Sequence, residues 1–517
     1  MSDSTDNGPV LSADGTPLKR SLKRSLRLQK FRALLLIAPL LAFILITFIA
    51  PIADMLFRSV ENKIVEETLP QTVALIDTDG EIESIVPSEK VFSALYVDMF
   101  VAAENKEHTR LGTRLNYEES GISSLFRKSG RRVSRLDVEV YKDQFEDVDP
   151  SWTEIATWQS LADDATAREL LPRAMWAYDA WRDYVIADGD NPDEEALEDF
   201  MYVALYDDLL ALDEASEASD LIQKSAAAVP DFETVNFKEA FVTFDKDWTN
   251  EDVWKTLRTY SSRYTEGYFL NAIDLQKDFE GYSVRPENER IYGVLFMRTL
   301  FMSLVITGCA ILLGYPIAWL MSNRPMREAN LLMIMVLLPF WTSLLVRTSA
   351  WKVMLQQQGV INDTLVWLNL VDEAGRLVLI NNQFGTIVAM THILLPFMVL
   401  PLYSVMRTIP ETYTRAAKSL GATNWTAFWR VYFPLSVPGI GAGSILVFIL
   451  SIGYYITPEI VGGTTGTFIS NRIAYHISSS LNWGLAAALG TILLAVVLLL
   501  YWVYDRIVGI DNVKLGG

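Results

Sequence analysis

The chain has 517 residues, half of them hydrophobic, a formal net charge of −19, three histidines and one cysteine. A single cysteine excludes an internal disulfide and a thiolate metal cluster. The charge is unevenly spread: residues 58–290 hold 51 Asp and Glu against 24 Lys and Arg, whereas the remainder holds 12 against 20. An acidic stretch of that size repels phosphate backbones, so no nucleic-acid partner is expected.

Residues 1–32 form a basic tail that includes Lys19, Arg20, Lys23, Arg24, Arg27, Lys30 and Arg32. The apolar run at 33–57 is too long for a signal peptide and lacks a clean cleavage site, so it is expected to remain as an anchor. Further apolar runs lie at 299–321, 330–350, 384–406, 436–456 (with Tyr454 and Tyr455 at its end) and 484–503. Each approaches the ~20 residues that a helix needs to cross the hydrocarbon core. The basic flank of the first run places the N-terminus in the cytoplasm. Threading onward puts Arg324 and Arg327, then the loop with Arg407, Arg415, Lys418 and Arg430, then the 509–517 tail, on that same side. The expectation is a mostly α protein: a six-helix transmembrane bundle in contact with lipid, with both termini cytoplasmic. Arg58 dissents, but a flanking arginine can snorkel to the interface. Cys309 lies inside a span and reads as a packing residue.

Residues 58–290 are expected to be a large, mainly helical, extracytoplasmic insert between spans 1 and 2. Trp152, Ile155, Trp158, Leu161, Leu170, Leu171, Met175, Trp176 and Trp181 recur at helical spacing, and so do Leu197, Phe200, Met201, Leu205, Leu209, Leu210 and Leu212. Asp188-Gly-Asp-Asn-Pro192 is a turn signal between them, giving a helical hairpin with a charged outer face. Asp79-Gly80, flanked by β-branched residues within 71–86, predicts a β-hairpin. Asp193, Glu194, Glu195, Glu198 and Asp199 read as a solvated helix face or as a cation-attracting one. His108 has no partner at ligand spacing, so no metal site is expected. No internal repeat is evident.

The informative stretch lies at 407–440, RTIPETYTRAAKSLGATNWTAFWRVYFPLSVPGI. Pro410, Glu411 and Thr412 suit a helix start. Tyr413 to Leu420 can form a short amphipathic helix, and Gly421 can end it in the left-handed conformation. Asn424 and Thr426 can begin a second helix running to Tyr432, with Pro434 and Pro438 breaking the chain before the next span. A helix–turn–helix on the membrane surface has the shape to enter a groove on a partner.

This stretch resembles the cytoplasmic coupling loop of type I ABC-importer permeases, whose pattern is Glu-Ala-Ala, three residues, Gly, then about nine residues to an Ile-x-Leu-Pro element. Here Ala416, Ala417 and Gly421 match, with Leu420, Ala422 and Phe428 beside them, and Val431-Tyr-Phe-Pro434 fills the last element. Arg415 replaces the family's Glu. Gly314-Tyr-Pro-Ile-Ala318, Leu338-Pro-Phe-Trp-Thr-Ser-Leu-Leu-Val-Arg-Thr-Ser-Ala-Trp351 and Gly359-Val-Ile-Asn362 resemble the spermidine/putrescine-type members. The likeness covers 287–508 well, 31–57 loosely and the insert not at all. It implies a permease subunit in a 291–508 core, with the coupling loop at 407–435. The implied partners are two ATPase subunits, a second permease (a heterodimer favoured over a homodimer) and an extracytoplasmic substrate-binding protein. No G-x-x-x-x-G-K-[ST] loop occurs in the sequence, so ATP and Mg²⁺ are expected on the partner ATPase, with no cofactor and no catalytic residue here.

Ionisable and aromatic groups in the spans are candidate path residues. Arg347 lies about 17 residues, or roughly 26 Å of helical rise, past the start of span 3, which places it at the outer surface as gate or interfacial anchor. Glu459 ends span 5 on that side and is a candidate partner for it. Arg298 opens span 2 and reads as an anchor. His392 is deeper and reads as a cross-helix hydrogen-bonding group. Trp341, Thr342, Tyr454 and Tyr455 either offer π faces and a hydroxyl to a cationic amine or belong to an interfacial belt. The alternative class is a membrane-anchored sensor or scaffold acting through its external domain. A secondary transporter, which would show repeats, and a membrane enzyme are weaker readings.

Overall fold

The computed structural model describes residues 18–76, 85–212, 219–278 and 281–508. It contains two units, one up to Ser59 and one from Val60. In the first, α1 (Leu18–Ile44) leads through a π-helical turn at Leu45–Ile49 into α2 (Ala50–Arg58). Pro51 lacks an N–H, and its ring collides with the carbonyl four residues back in a regular helix. The π turn, in which Ala50 N–H bonds the Leu45 carbonyl, resets the ladder just before it. Gln29–Arg58 is long and apolar enough to cross a membrane.

The second unit begins with a helical domain that folds twice into the same elements. The first half comprises α3 (Lys63–Thr68), α4 (Pro70–Ile76), α5 (Glu89–Glu104), α6 (His108–Leu115), α7 (Ile122–Val133), α8 (Glu139–Val148) and α9 (Ile155–Asp163). The second comprises α10 (Ala165–Leu170), α11 (Pro172–Asp188), α12 (Phe200–Leu210), α13 (Asp220–Ala228), α14 (Phe237–Phe244) and α15 (Glu251–Thr259), with no counterpart of α6 among the described residues. The sequence marks the correspondence. Leu69-Pro70 matches Leu171-Pro172. Ala94-Leu-Tyr-x-Asp98 matches Ala204-Leu-Tyr-x-Asp208. Asp149-x-x-Trp152-Thr-x₄-Trp158 matches Asp245-x-x-Trp248-Thr-x₄-Trp254.

The contacts match as well. Asp98 accepts the Gln71 and Thr72 N–H groups at 3.3 and 2.7 Å at the start of α4; Asp208 accepts those of Arg173 and Ala174 at 2.9 and 2.8 Å at the start of α11. Trp158 Nε1 donates to the Trp152 carbonyl and Trp254 Nε1 to the Trp248 carbonyl, each at 2.9 Å. The halves then exchange donors: Trp152 Nε1 reaches Ser225 Oγ at 2.9 Å, and Trp248 Nε1 reaches Ser129 Oγ at 2.8 Å. The ring of Phe92 packs on Trp254 with centroids 5.1 Å apart, and that of Tyr202 packs on Trp158 at 5.6 Å. Such reciprocity is the signature of an isologous, approximately twofold interface, here within one chain.

This corrects the expectation of no internal repeat. The displacement between matched residues is 96 at the tryptophans, 102 at Leu-Pro and 110 at the aspartates, so no single period runs through the sequence. The helical hairpin is α11 and α12, and Gly189 turns the chain at φ +95°. The expected β-hairpin at 71–86 is overturned where it can be seen: Pro70 opens a helix to Ile76 and Asp98 caps it, while Asp79-Gly80 lies outside the described residues. The hairpin that does form, β1 (Leu275–Asp278) with β2 (Gly281–Val284), is antiparallel and comes after α16 (Gly267–Ala272).

The rest of the chain holds the long apolar helices. α17 (Tyr292–Ser322) and α21 (Gln383–Thr408) are continuous candidate spans, as is α27 (Trp483–Val508) over Trp483–Arg506. The expected straight span 3 is instead broken. α18 (Met326–Leu337) passes through a 3₁₀ turn at Leu338–Trp341 to α19 (Leu344–Leu355) and α20 (Val360–Trp367), with a bend of 94°. Pro339 supplies no donor, and Thr342 and Ser343 are extended, which ends one helix and starts another. The 26 Å depth inferred for Arg347 assumed a straight helix and does not hold. The described residues thus contain five helices able to span a membrane, and six if the bent pair counts as one span.

Burial pushes the Asp98 carboxyl up to about 7, against the pull of its hydroxyl and N–H donors, and pushes Asp208 to about 7 likewise. Unfolded, both titrate near 4. The folded domain therefore holds these protons more tightly, and stability falls as pH rises from about 4 through about 7. Thermal unfolding of the double variant Asp98→Asn/Asp208→Asn, followed by tryptophan fluorescence, should depend less on pH than that of the wild type across this window. An unchanged pH slope contradicts the assignment.

Candidate functional site

Pro410 precedes α22 (Glu411–Ser419), and Glu411 in its first turn favours the helix N-terminus. Gly421 sits at φ +89°. Its N–H bonds the Lys418 carbonyl and the Ala422 N–H bonds the Ala417 carbonyl, both at 3.0 Å, which is the Schellman ending. Thr423 caps α23 (Asn424–Ala427) by accepting the Thr426 N–H at 3.2 Å. Pro434 and Pro438 do not break the chain as expected. A π turn at Phe428–Tyr432 precedes α24 (Phe433–Gly453), and Asn424–Gly453 forms one span-length helix. The π turn stands two residues before Pro434 just as the other stands before Pro51, so the proline falls in a turn that needs no donor from it.

The loop projects an apolar edge and anchors its base. Leu420 is 90% exposed and Trp425 72%. Ala416 is exposed and Ala417 half-buried. Phe428 packs edge-on against Tyr315 of α17, with centroids 6.1 Å apart, and Tyr315 Oη meets Ser436 Oγ at 2.9 Å. Arg407 Nη1 donates to the Ser322 carbonyl at 3.0 Å. A groove of about 520 Å³ lies between the end of α17, the end of α21 and α22, with Trp319, Arg407, Glu411 and Lys418 among its walls. Arg415, in place of the family's acid, is paired within the helix to Glu411, so a carboxylate stands one turn earlier on the same face.

The path candidates fall into two groups. His392 on α21 accepts the Trp351 indole N–H at Nδ1, 3.1 Å away, across to α19. An indole only donates, which fixes Nδ1 as the acceptor. Arg347 lies one turn before Trp351 on α19. Its Nε is buried without a hydrogen-bond partner among the described residues. In the second group, Glu459 on α25 (Ile456–Val461) accepts the Asn471 amide at 2.6 Å, and that amide also donates to the Tyr455 carbonyl at 2.9 Å. The suggested Arg347–Glu459 pair is not formed among the described residues; Glu459 is held by Asn471. Thr348 and Thr457 meet at 3.2 Å and tie α19 to α25. Trp341 and Thr342 sit at the break, exposed, and Arg298 donates to the Thr464 carbonyl at 2.9 Å.

Trp351, Asn471 and Thr457 were not among the sequence candidates. Trp351 was reachable, since four residues from Arg347 is one helical face. Asn471 carried no signal, because its role depends on a loop closing on α25.

A polytopic helical core bearing an exposed helix–turn–helix is the architecture of a transport permease that takes its work from a docked partner. The model of the family "Binding-protein-dependent transport system inner membrane component" matches residues 296–509. The spermidine/putrescine transport system permease protein PotB of Salmonella typhimurium (strain SL1344) is 33% identical over 220 residues, 42% of this chain and 76% of PotB. PotB of Haemophilus influenzae is 32% identical over 234 residues, 44% of this chain and 81% of that protein. A chain in the crystal structure of a bacterial alginate ABC transporter with its alginate pentasaccharide-bound periplasmic protein is 19% identical. That alignment covers 43% of this chain and 81% of that chain, with a TM-score of 0.34. The chain belongs to the binding-protein-dependent transport system inner-membrane family. It is a multi-pass inner-membrane permease subunit of an ABC importer, working with a substrate-binding protein and with ATP hydrolysis on a separate subunit. The sensor or scaffold alternative is not favoured.

A Cβ at position 421 meets no atom within 4 Å, so substitution there acts through backbone strain alone, roughly 1–2 kcal/mol for a left-handed non-glycine residue. Gly421→Ala should therefore leave the membrane core folded and reduce the ATPase recovered in a mild-detergent pull-down. Full recovery contradicts a docking role for the loop. Arg347→Ala should lower uptake in proteoliposomes with assembly intact, and normal rates would dismiss a path role.

Proposed function

We propose that this chain forms half of the translocation path of a polyamine importer. The observation that carries this is the 33% identity to PotB, within a family match spanning both the coupling loop and the path candidates. In this reading the bent pair at 326–367 counts as one of six spans. Both termini and the 407–435 loop face the cytoplasm, and the acidic 58–290 domain faces the periplasm, as the basic loops support. Two ATPase subunits, which bind ATP and Mg²⁺, dock on this loop and on that of a second, different permease. Closure of the ATPase pair turns the membrane domains between inward- and outward-facing states, a rigid-body switch biased by ligand.

The chemistry of the path agrees with a cationic cargo. The acidic domain raises the local concentration of cations at low salt. Trp341, Tyr454 and Tyr455 present π faces, which attract ammonium groups. Arg347, whose Nε has no hydrogen-bond partner among the described residues, opposes a cation in the resting arrangement and acts as an electrostatic barrier that the switch must displace.

The test is uptake of radiolabelled spermidine and putrescine by proteoliposomes holding the complete transporter. ATP-dependent uptake that requires the binding protein is expected. Transport of another solute with none of either polyamine would overturn the substrate assignment.

A further inference from the structure

The family model matches residues 296–509, which leaves the role of the duplicated domain open. Its attachment is not a flexible tether. The Asp274 carboxylate, in the turn between α16 and β1, accepts the N–H groups of Ile291, Tyr292 and Gly293 at 3.1, 3.0 and 2.7 Å and so caps α17. Arg285, just after β2, donates its N–H to the Asp274 carbonyl at 3.1 Å. Its guanidinium meets Glu118 at 2.8 Å, and Glu118 also holds Arg114 at 2.8 Å. All three side chains are nearly buried, where removing one partner leaves an uncompensated charge. Arg114 Nε in turn donates to Tyr268 Oη on α16 at 2.9 Å.

Tyr268 carries the network into the membrane core. With Ala272 it shares one apolar cluster with Leu295 of α17, Ile469 of α26 (Ile469–Ser478), and Leu485 and Leu489 of α27. It lies so close over Gly484 that a Cβ there would overlap its ring. Tyr292 Oη meets His476 Nε2 at 3.0 Å, and His476 Nδ1 meets Ser480 Oγ at 2.8 Å. Burial, with the Arg472 charge second, holds His476 down to about 4, so the ring is neutral and bonds both groups at neutral pH. By contrast, α19 is separated from α18 by the 94° break and is tied to α25 rather than to the domain.

We propose that the duplicated domain is a brace: it locks the domain-side ends of α17 and α27 into one rigid body, against which α19 moves when the permease switches. Asp274, Glu118 and Tyr268 are then positioning residues for transport, although none lies in the path. The proposal rests on the two-state switch described above.

Spin labels test it in the complete transporter on a Cys309→Ala background. One pair joins Val294→Cys on α17 to Trp483→Cys on α27, and a second joins Val294→Cys to Val346→Cys on α19. All three sites are exposed. The expected result is a second pair whose distance changes between nucleotide-free and ATP-trapped states, and a first pair whose distance does not. Adding Asp274→Asn and Gly484→Ala should broaden the first pair, lower uptake at least tenfold and raise substrate-independent ATPase activity. A first pair that moves as much as the second in the unmodified brace overturns the proposal with the switch intact. If neither pair moves, the switch itself fails and the brace falls with it.

Discussion

The N–H groups in the first turn of a helix have no partner within it, and when that turn is buried something else must accept them. Three aspartates meet this demand and organise the chain from Val60 onward. Asp98 and Asp208 start α4 and α11 at equivalent places in the two halves of the acidic domain. Asp274 starts α17, the first span of the core, from the turn between α16 and β1 that follows that domain. A carboxylate at a helix N-terminus also favours the helix dipole. One device thus serves both to close a duplicated soluble fold and to weld that fold to the membrane part.

Prolines divide what was legible in the sequence from what was not. Apolar length alone located α17, α21 and α27, because spanning a hydrocarbon core imposes it. The turn between α22 and α23 was legible because Gly421 supplies a left-handed residue and the Ala422 N–H closes on the Ala417 carbonyl. Proline had no such fixed meaning. Pro434 and Pro438 read as breaks yet lie in one long helix: a π turn stands just upstream of Pro434, and Pro438 sits within α24. Pro339 lay in a run that read as continuous, yet the chain bends by 94° just beyond it. The neighbouring backbone decides the outcome, and composition does not encode it.

The acidic domain was legible as helical and illegible as a duplication. Its matches are sparse and their spacing drifts, so that no repeat period emerges. Structure restores them through exchange: Trp152 needs Ser225 of the other half, and Trp248 needs Ser129. A buried indole N–H demands an acceptor, which is why these few positions kept their chemistry while much around them differs. The path candidates were picked by a rule about cost, that charge in a span signals function. That rule named Arg347 and His392 but was blind to Trp351 and Asn471, which act by orienting them or their neighbours.

The account stands on α22 and α23 being the surface through which a separate ATPase drives this permease. Photo-crosslinking in native membranes from an unnatural residue at Leu420, the most exposed point of that surface, tests this directly. The adduct predicted is one with a chain bearing a phosphate-loop ATPase sequence. A folded, correctly inserted protein that yields no such adduct at Leu420, while an ATPase is captured from another face, would contradict it.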